Sequence, residues 1–209
     1  MSERAAPSGS SRLNATDAPR GATSARRAAI LAPAMGVFAR YGFKKTSMDD
    51  LARAAGLSRQ GLYLHYPTKE ALFRAVVLDV VSKTRAAGEA ALARDDLDVE
   101  ARLLAAFEAI HAGLVGKPYG DHMSELIEAA TELVGPVVEE LEDAMVAGVT
   151  SLLKKSGVAA RWRDAGFSAK DLAVQLDLTS RGIKHTVKDV AEYRAKMTVA
   201  VRIVCRGRA

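Results

Sequence analysis

The chain has 209 residues, of which 49% are hydrophobic and 26% are charged, as is typical of a globular protein with one or two domains. It contains neither a transmembrane-length apolar run nor the apolar core of a signal peptide, and its one cysteine is Cys205. These features exclude a membrane-spanning helix, a disulfide framework and a multi-cysteine metal site, and they predict a cytoplasmic location.

The formal net charge of +5 is distributed unevenly along the chain. Residues 1–74 contain 12 Lys/Arg and 5 Asp/Glu, a balance of +7, whereas residues 75–209 contain 18 and 20, a balance of −2. A basic first third favours a polyanionic partner at that end of the protein. A solvated basic surface without any partner is the alternative, and charge alone does not separate the two.

Residues 1–22 are rich in Ser, Ala, Arg and Gly, and we predict a disordered tail there. Its arginines either contact DNA phosphates or only keep this end of the chain exposed to water. The rest of the chain shows helical spacing of apolar residues without strand alternation, which predicts an all-α fold.

The first helical pattern covers residues 30–46 and ends at Gly42. Pro33 lies inside it, which predicts a kink or a shifted start. Its inward stripe is Ile30, Leu31, Ala34, Val37, Phe38 and Tyr41.

Two short helices are predicted over residues 47–66. Ser47 and Asp50 form a capping box for the first, whose apolar face is Met48, Leu51, Ala52 and Ala55. Gly56 stands where a helix exit needs a left-handed residue, Ser58 caps the second helix and Pro67 stops it. A helix, a glycine turn and a capped short helix are the pattern of a helix-turn-helix, whose second helix enters the DNA major groove.

The segment from Ile30 to Val76 closely resembles the N-terminal DNA-binding domain of the TetR family of transcriptional regulators. The matching landmarks are Phe38, Gly42, Thr46, Ser47, Met48, Leu51, Ala52, Ala55, Gly56, Leu57, Ser58, Leu62, Tyr63, Lys69, Glu70, Ala71, Leu72 and Phe73. The resemblance implies an all-α protein with an N-terminal three-helix helix-turn-helix DNA-binding domain over residues 23–70. A C-terminal helical ligand-binding and dimerisation domain would follow over residues 71–209.

Arg59 and Gln60 begin the second helix, where side chains enter the groove first. Arginine matches a guanine edge and glutamine an adenine edge, although contacts with phosphate or water alone are the alternative. Lys44 precedes the motif. Thr68 and Lys69 open the next helix, where free N–H groups and a lysine suit a phosphate, and an exposed cation is the alternative for Lys69.

The resemblance implies that Leu62 packs inward, that Tyr63 directs its hydroxyl to a phosphate, and that the Thr46 hydroxyl also meets phosphate. His65 either contacts the DNA backbone or is a neutral surface histidine. Gly61 weakens the helix by about 1 kcal/mol relative to alanine. It either permits close approach to the DNA backbone or leaves the helix to become ordered only on DNA. The complete predicted DNA-binding set is Lys44, Thr46, Ser47, Ser58, Arg59, Gln60, Gly61, Tyr63, His65, Thr68 and Lys69.

Polar, glycine and proline breaks divide the remaining chain into further helices. Their predicted ranges are 68–83 with either a continuation or a break toward 92, then 99–115, 121–134, 136–155, 168–187 and 189–206. A loop is predicted over residues 116–120. The second of these helices carries the apolar stripe Leu103, Phe107, Ile110 and Leu114.

The resemblance implies an effector pocket between the central helices. The candidate lining residues are Leu103, Phe107, Ile110, Met123, Leu126, Ile127 and Met145. Ordinary helix–helix core is the alternative for each of them. Glu125, Glu128 and Glu132 share one helix face, which is either a solvated acidic surface or part of a site for a cationic ligand.

The resemblance also implies that the last two helices pair with those of a second copy in a four-helix dimer interface. The predicted contact residues are Leu172, Leu176, Thr179, Ile183, Tyr193, Met197 and Val201. Without the resemblance these are simply core helices. A dimer has a functional reason, because two recognition helices read a palindrome and one short helix reads few bases.

We therefore predict a cytoplasmic homodimeric transcriptional repressor that a small molecule of unknown identity releases from a palindromic double-stranded operator. A DNA-binding dimer without an effector is the alternative. No cofactor, metal or enzymatic activity is predicted, since His65, His111, His122 and His185 lack metal-ligand spacing and no nucleophile or phosphate-loop motif occurs. A helical enzyme or metal-binding protein that retains the N-terminal unit is a more remote alternative.

Overall fold

The computed structural model describes residues 20–115 and 122–207, with side chains from Arg26 onward. The predicted tail up to residue 19 and the predicted loop over 116–120 lie outside the described residues. All regular structure in these two ranges is helical. The α-helices are α1 (Arg20–Lys45), α2 (Met48–Ala54), α3 (Arg59–His65), α4 (Lys69–Ala93), α5 (Val99–His111), α6 (Met123–Val134), α7 (Val137–Lys155), α8 (Ala169–Lys184) and α9 (Val190–Arg206).

Most helices begin at a side chain that accepts a hydrogen bond from a backbone N–H of the first turn. Ser47 and Ser168 each do so in a capping box, with Asp50 and Asp171 respectively. Thr68, Asp98 and Asp189 cap α4, α5 and α9 in the same way. Because such caps satisfy N–H groups that the helix itself cannot, they fix these helix starts at the predicted positions.

Helix α1 departs from the prediction in its length. It begins at Arg20, so the predicted tail ends three residues too late, and it continues through Pro33 without losing helical backbone. The backbone leaves the helix at Gly42, where φ is +77°, so the predicted break there is confirmed. Tyr41, predicted on the inward stripe, is exposed instead.

The later helices also differ in detail. Helix α4 is one uninterrupted helix of 25 residues. Helix α5 ends at His111 and passes into a 3₁₀ turn over Ala112–Leu114, so Leu114 leaves the α-helical register and is exposed rather than inward. Helix α8 ends at Lys184, three residues before the predicted end.

The apolar side chains form two cores. The first lies among α1, α2, α3, the start of α4 and α6. Three aromatic rings meet in it, and the ring centroids of Phe38 and Phe43 each lie 4.9 Å from that of Phe73. The second lies among the end of α4, α5, α7, α8 and α9 and includes Phe107 and Tyr193. Because α4 packs into both cores, the predicted division at residue 70 falls within a helix that joins them.

A chain of buried polar groups crosses the second core. His111 Nδ1 lies 2.6 Å from Ser180 Oγ, which lies 2.5 Å from the Tyr193 hydroxyl, and Tyr193 donates to the Phe107 carbonyl at 3.3 Å. Burial, with smaller effects of Lys184 and nearby cations, lowers the pKa of His111 to about 3. Burial also raises the pKa of Tyr193 to about 12. Both side chains are therefore neutral near pH 7.

The predicted dimer residues require correction. Tyr193, Met197 and Val201 have no exposed surface, and Leu172 and Leu176 are also buried, all within the second core of the same chain. These five side chains are buried against other helices of the same protomer, so they are not available to a partner. Thr179 and Ile183 are only partly buried, and their place in an interface stays a prediction.

Candidate nucleic-acid interface

Helix α3 is held between a glycine turn and a proline. Gly56 adopts φ +66°, which turns the chain sharply so that the Leu57 N–H reaches the Ala52 carbonyl at 2.9 Å. Ser58 Oγ then accepts the Gly61 N–H at 3.0 Å and begins α3. Leu62 is fully buried and fixes the helix to the first core. The opposite face of α3 is consequently presented to solvent.

The exposed side chains of α3 are Arg59, Gln60, Tyr63, Leu64 and His65. The Arg59 guanidinium pairs with the Asp49 carboxylate of α2 at 3.1 Å and lies 5.7 Å from the Tyr63 ring centroid. The Tyr63 hydroxyl and the Asp49 carboxylate both raise the pKa of Arg59. A cation, an amide and a phenol thus share one surface, which is the chemistry that hydrogen-bonds to base edges and phosphates.

Three hydroxyl groups of the predicted DNA-binding set form hydrogen bonds within the protein. Thr46 is buried and donates to the Gly42 carbonyl at 2.6 Å, so the prediction of a phosphate-facing hydroxyl at Thr46 is wrong. Ser47 donates to Asp50 at 2.5 Å, and this contact is the main cause that lowers the pKa of Asp50. Thr68 Oγ1 accepts the Ala71 N–H at 3.0 Å. Ser47 and Thr68 remain exposed, whereas Thr46 does not.

Lys69 also differs from its prediction as an open phosphate ligand. Its ammonium donates to the Phe43 carbonyl at 2.9 Å and to the Lys44 carbonyl at 3.4 Å, and it lies 4.5 Å from the Phe43 ring centroid. These carbonyls belong to the end of α1, which a cation stabilises through the helix dipole. Lys69 therefore joins α1 to α4, while the Lys44 side chain stays exposed.

Leu64 is an exposed residue of α3 that the sequence interpretation did not single out. It is 82% exposed, more than any other large hydrophobic side chain in the described parts of the chain. Its spacing was a usable signal, because it lies two residues after the buried Leu62 and one helical turn after Gln60.

Helix α6 contacts the end of α1 through Glu125. Its carboxylate accepts the Lys44 backbone N–H at 2.6 Å, and its other oxygen lies where a side chain at Gly42 would stand. At the other end of α6, Arg74 of α4 donates to the Leu133 carbonyl at 2.7 Å. Glu125 thus belongs neither to a free acidic surface nor to a ligand site, whereas Glu128 and Glu132 are exposed.

Residues 30–76 match the family model of bacterial regulatory proteins of the tetR family. This segment is therefore a DNA-binding domain of the TetR-family type. The HTH-type transcriptional regulator RutR of Escherichia coli K12 is 38% identical over 60 residues, which are 29% of this chain and 28% of RutR. The HTH-type transcriptional repressor ComR of the same strain is 38% identical over 84 residues, or 40% of each chain. The chain therefore matches less than half the length of these relatives.

Solved structures of other proteins share the fold over nearly the whole chain. A TetR-like transcriptional regulator from Rhodococcus sp. RHA1 has a TM-score of 0.63 at 22% identity, covering 92% of this chain and 100% of its own. The reduced form of E. coli NemR has a TM-score of 0.64 at 15% identity, covering 88% and 97%. At such identities the likeness concerns the fold alone.

The seven predicted effector residues do not meet around one cavity, which corrects that set. Ile110 and Met145 line a cavity of about 30 Å³ among α4, α5 and α7. Leu103 and Phe107 are fully buried core, and Leu126 packs into the first core beside α1. Ile127 is exposed and Met123 half-buried.

In the described ranges, no helix is both long enough and apolar enough to span a membrane. The same residues contain no cluster of three His, Cys, Asp or Glu side chains placed to hold a metal ion.

Proposed function

We propose that this protein binds a palindromic DNA operator as a homodimer, represses transcription there, and is released by a small molecule. The observation that carries the DNA-binding part is the outward face of α3. It combines Arg59, Gln60 and Tyr63 on a helix held by the buried Leu62. Such a helix fits the major groove, and its polar side chains fit base edges and phosphates.

We propose that the dimer forms through the outer faces of α8 and α9. Leu178 of α8 and Val199 and Ile203 of α9 are more than half exposed, on the faces opposite those that pack into the second core. Gly182, Ala191 and Ala195 are exposed small residues on the same two helices. Apolar and small side chains together allow two helix pairs to approach closely and bury area, as a two-fold interface requires.

The proposed release depends on α4. Its first turns pack into the core that holds the recognition helix, while Gly88 and Leu92 near its other end line the cavity of about 30 Å³. A ligand that enlarged this cavity would displace α4 and, with it, the first core. Release follows only if the ligand binds the displaced form more tightly than the DNA-bound form.

Selection of bound sequences from random duplex DNA, followed by a salt titration on the selected duplex, tests the DNA-binding proposal. We expect enrichment of a palindrome whose half-sites are spaced for a dimer, and an affinity that falls steeply with salt because phosphate contacts release counterions. Recovery of sequences without a common motif would contradict the proposal.

A second candidate is a DNA-binding dimer without an effector. The size of the cavity among α4, α5 and α7 favours it, because pockets for drug-sized ligands measure about 300–1,000 Å³ and this cavity is far smaller. A larger hollow of about 580 Å³ lies on the outer side of α7 next to Lys170, but its lining is mostly polar or small and includes none of the seven predicted effector residues. A thermal-shift screen of small molecules separates the two, since a ligand of the folded protein raises the Tm by mass action. A ligand that raises the Tm and weakens operator binding supports release, and the absence of any such ligand supports the second candidate.

A further inference from the structure

We propose that Leu64 reads the C5-methyl group of a thymine in the operator and so sets sequence specificity at that base pair. The proposal rests on the proposed function, because it assigns a role to one residue of the same DNA-binding surface. Leu64 is 82% exposed on α3. A leucine with this exposure contributes little packing within its own chain, so most of its side chain is available to a partner.

The position of Leu64 on α3 directs it away from the protein. Successive residues of an α-helix are rotated by about 100°, so Leu64 stands about 200° from the buried Leu62. Gln60, two residues before Leu62, stands about 160° from it in the same sense. Leu64 and Gln60 are thus the two side chains most nearly opposite the anchored face, at the centre of the surface that would enter the groove. Arg59 and Tyr63 lie to one side of them.

The chemistry of the side chain selects its target. Leucine has no hydrogen-bond donor or acceptor, so phosphates and the polar base edges offer it no specific contact. The thymine C5-methyl is the apolar group that B-DNA presents in the major groove. Contact between the two would remove apolar surface of both from water, which is favourable.

The spacing on α3 limits where this thymine lies. Gln60 and Leu64 are four residues apart, which is about 6 Å along the helix axis. Base pairs are stacked about 3.4 Å apart, so two side chains at this spacing reach neighbouring pairs more readily than the same pair. If Gln60 pairs with an adenine edge, the thymine is expected one or two base pairs from that adenine.

Substitution of deoxyuridine for thymine tests this contact, because uracil lacks only the C5-methyl group. The operator selected with the unmodified protein is resynthesised with uracil at each thymine in turn, symmetrically in both half-sites. We expect one position in each half-site at which uracil weakens binding of the unmodified protein, by about fourfold per half-site for the loss of one buried methyl. Leu64→Ala should bind the thymine and uracil duplexes with equal affinity.

Leu78→Ala is the matched control, since Leu78 is an exposed leucine of α4 outside the recognition helix, and its uracil penalty should equal that of the unmodified protein. An equal Tm for Leu64→Ala and the unmodified protein would show that folding is intact.

An equal uracil penalty in Leu64→Ala and the unmodified protein would overturn the proposal, as would the absence of any uracil-sensitive position. A loss of affinity in Leu64→Ala that is the same for every duplex would also overturn it, because the loss would then not depend on a methyl group. Failure to select any sequence would instead contradict the proposed function, and this inference with it.

Discussion

The helix-turn-helix surface and the packing of the C-terminal helices differ in the sequence distance over which their polar contacts act. In the N-terminal unit, Ser47 contacts Asp50 and Ser58 contacts Gly61, three residues apart in each case. In the C-terminal half, His111 meets Ser180 over 69 residues and Arg206 meets Glu100 over 106. The first kind of contact belongs to a single helix start, whereas the second exists only once the helices have packed.

This difference explains where function can be recognised. The helix-turn-helix surface is built on short capped helices with one buried anchor, so local signals orient it. The C-terminal helices carry apolar stripes that fit equally well a core, a pocket or a dimer interface. Which of these each stripe forms depends on helices far away in sequence.

We expect the largest effect on stability from a substitution on the buried face of α9, and almost none from a substitution on its exposed face. Met197→Ala removes a fully buried side chain and should lower the free energy of unfolding by about 2–5 kcal/mol, measured by urea denaturation. Ile203→Ala changes an exposed residue of the proposed dimer face. It should leave the unfolding of the monomer nearly unchanged but raise the dimer dissociation constant in sedimentation experiments. A larger unfolding effect at Ile203 would place that residue in the core instead.

Removal of Arg59 should weaken operator binding without affecting the fold. For Arg59→Ala we expect a loss of about 1–3 kcal/mol if the side chain contacts a base, with relaxed specificity at that position. Asp49→Asn should instead strengthen binding, since it removes a carboxylate that pairs with Arg59 at 3.1 Å and repels DNA. Fluorescence anisotropy at fixed salt measures both. An unchanged operator affinity of Arg59→Ala would show that the DNA-binding surface does not include the start of α3.

The buried histidine should make the C-terminal half sensitive to acid. The pKa of His111 is about 3 in the folded protein and about 6.5 when unfolded, so the unfolded chain binds more protons between these values. Stability should therefore fall as pH falls through this window, by about 2 kcal/mol between pH 7 and pH 5.

Urea denaturation at the two pH values measures this change for His111→Gln as well. That variant should lose stability at neutral pH, through its disturbed contact with Ser180, yet show a smaller drop on acidification. An identical drop in both proteins would assign the acid sensitivity to other groups.

The smallest effect is expected where the two halves meet. Glu125→Ala removes the acceptor of the Lys44 N–H and should lower the free energy of unfolding by about 1 kcal/mol, because the carboxylate is partly exposed and its hydrogen bond correspondingly screened. Glu125→Gln keeps an acceptor oxygen and should lose less. Glu128→Ala, at an exposed position of the same helix, is the control. Equal stability of Glu125→Ala and Glu128→Ala would show that the contact contributes nothing.

The N-terminal interface was predictable to the level of helix and cap, but only in part to the level of side chain. The start of α3 at Ser58 was expected from the motif, and the inward position of Leu62 was expected from the family resemblance. The inward hydroxyl of Thr46 and the contact of Lys69 with α1 were not, because each depends on a carbonyl that the break at Gly42 turns toward it. Leu64 was overlooked because an exposed leucine is uninformative until the anchored face of its helix is known.

The sequence by itself determined the helical class, most helix starts, the glycine turn and the basic N-terminal third, because capping, helical periodicity and charge act within a few residues. Only the tertiary structure decided that Tyr193, Met197 and Val201 are core, that α4 joins two cores, and that Glu125 holds the end of α1. Burial and long-range pairing depend on which helix covers which. An apolar stripe predicts that it will be covered but does not specify by which partner.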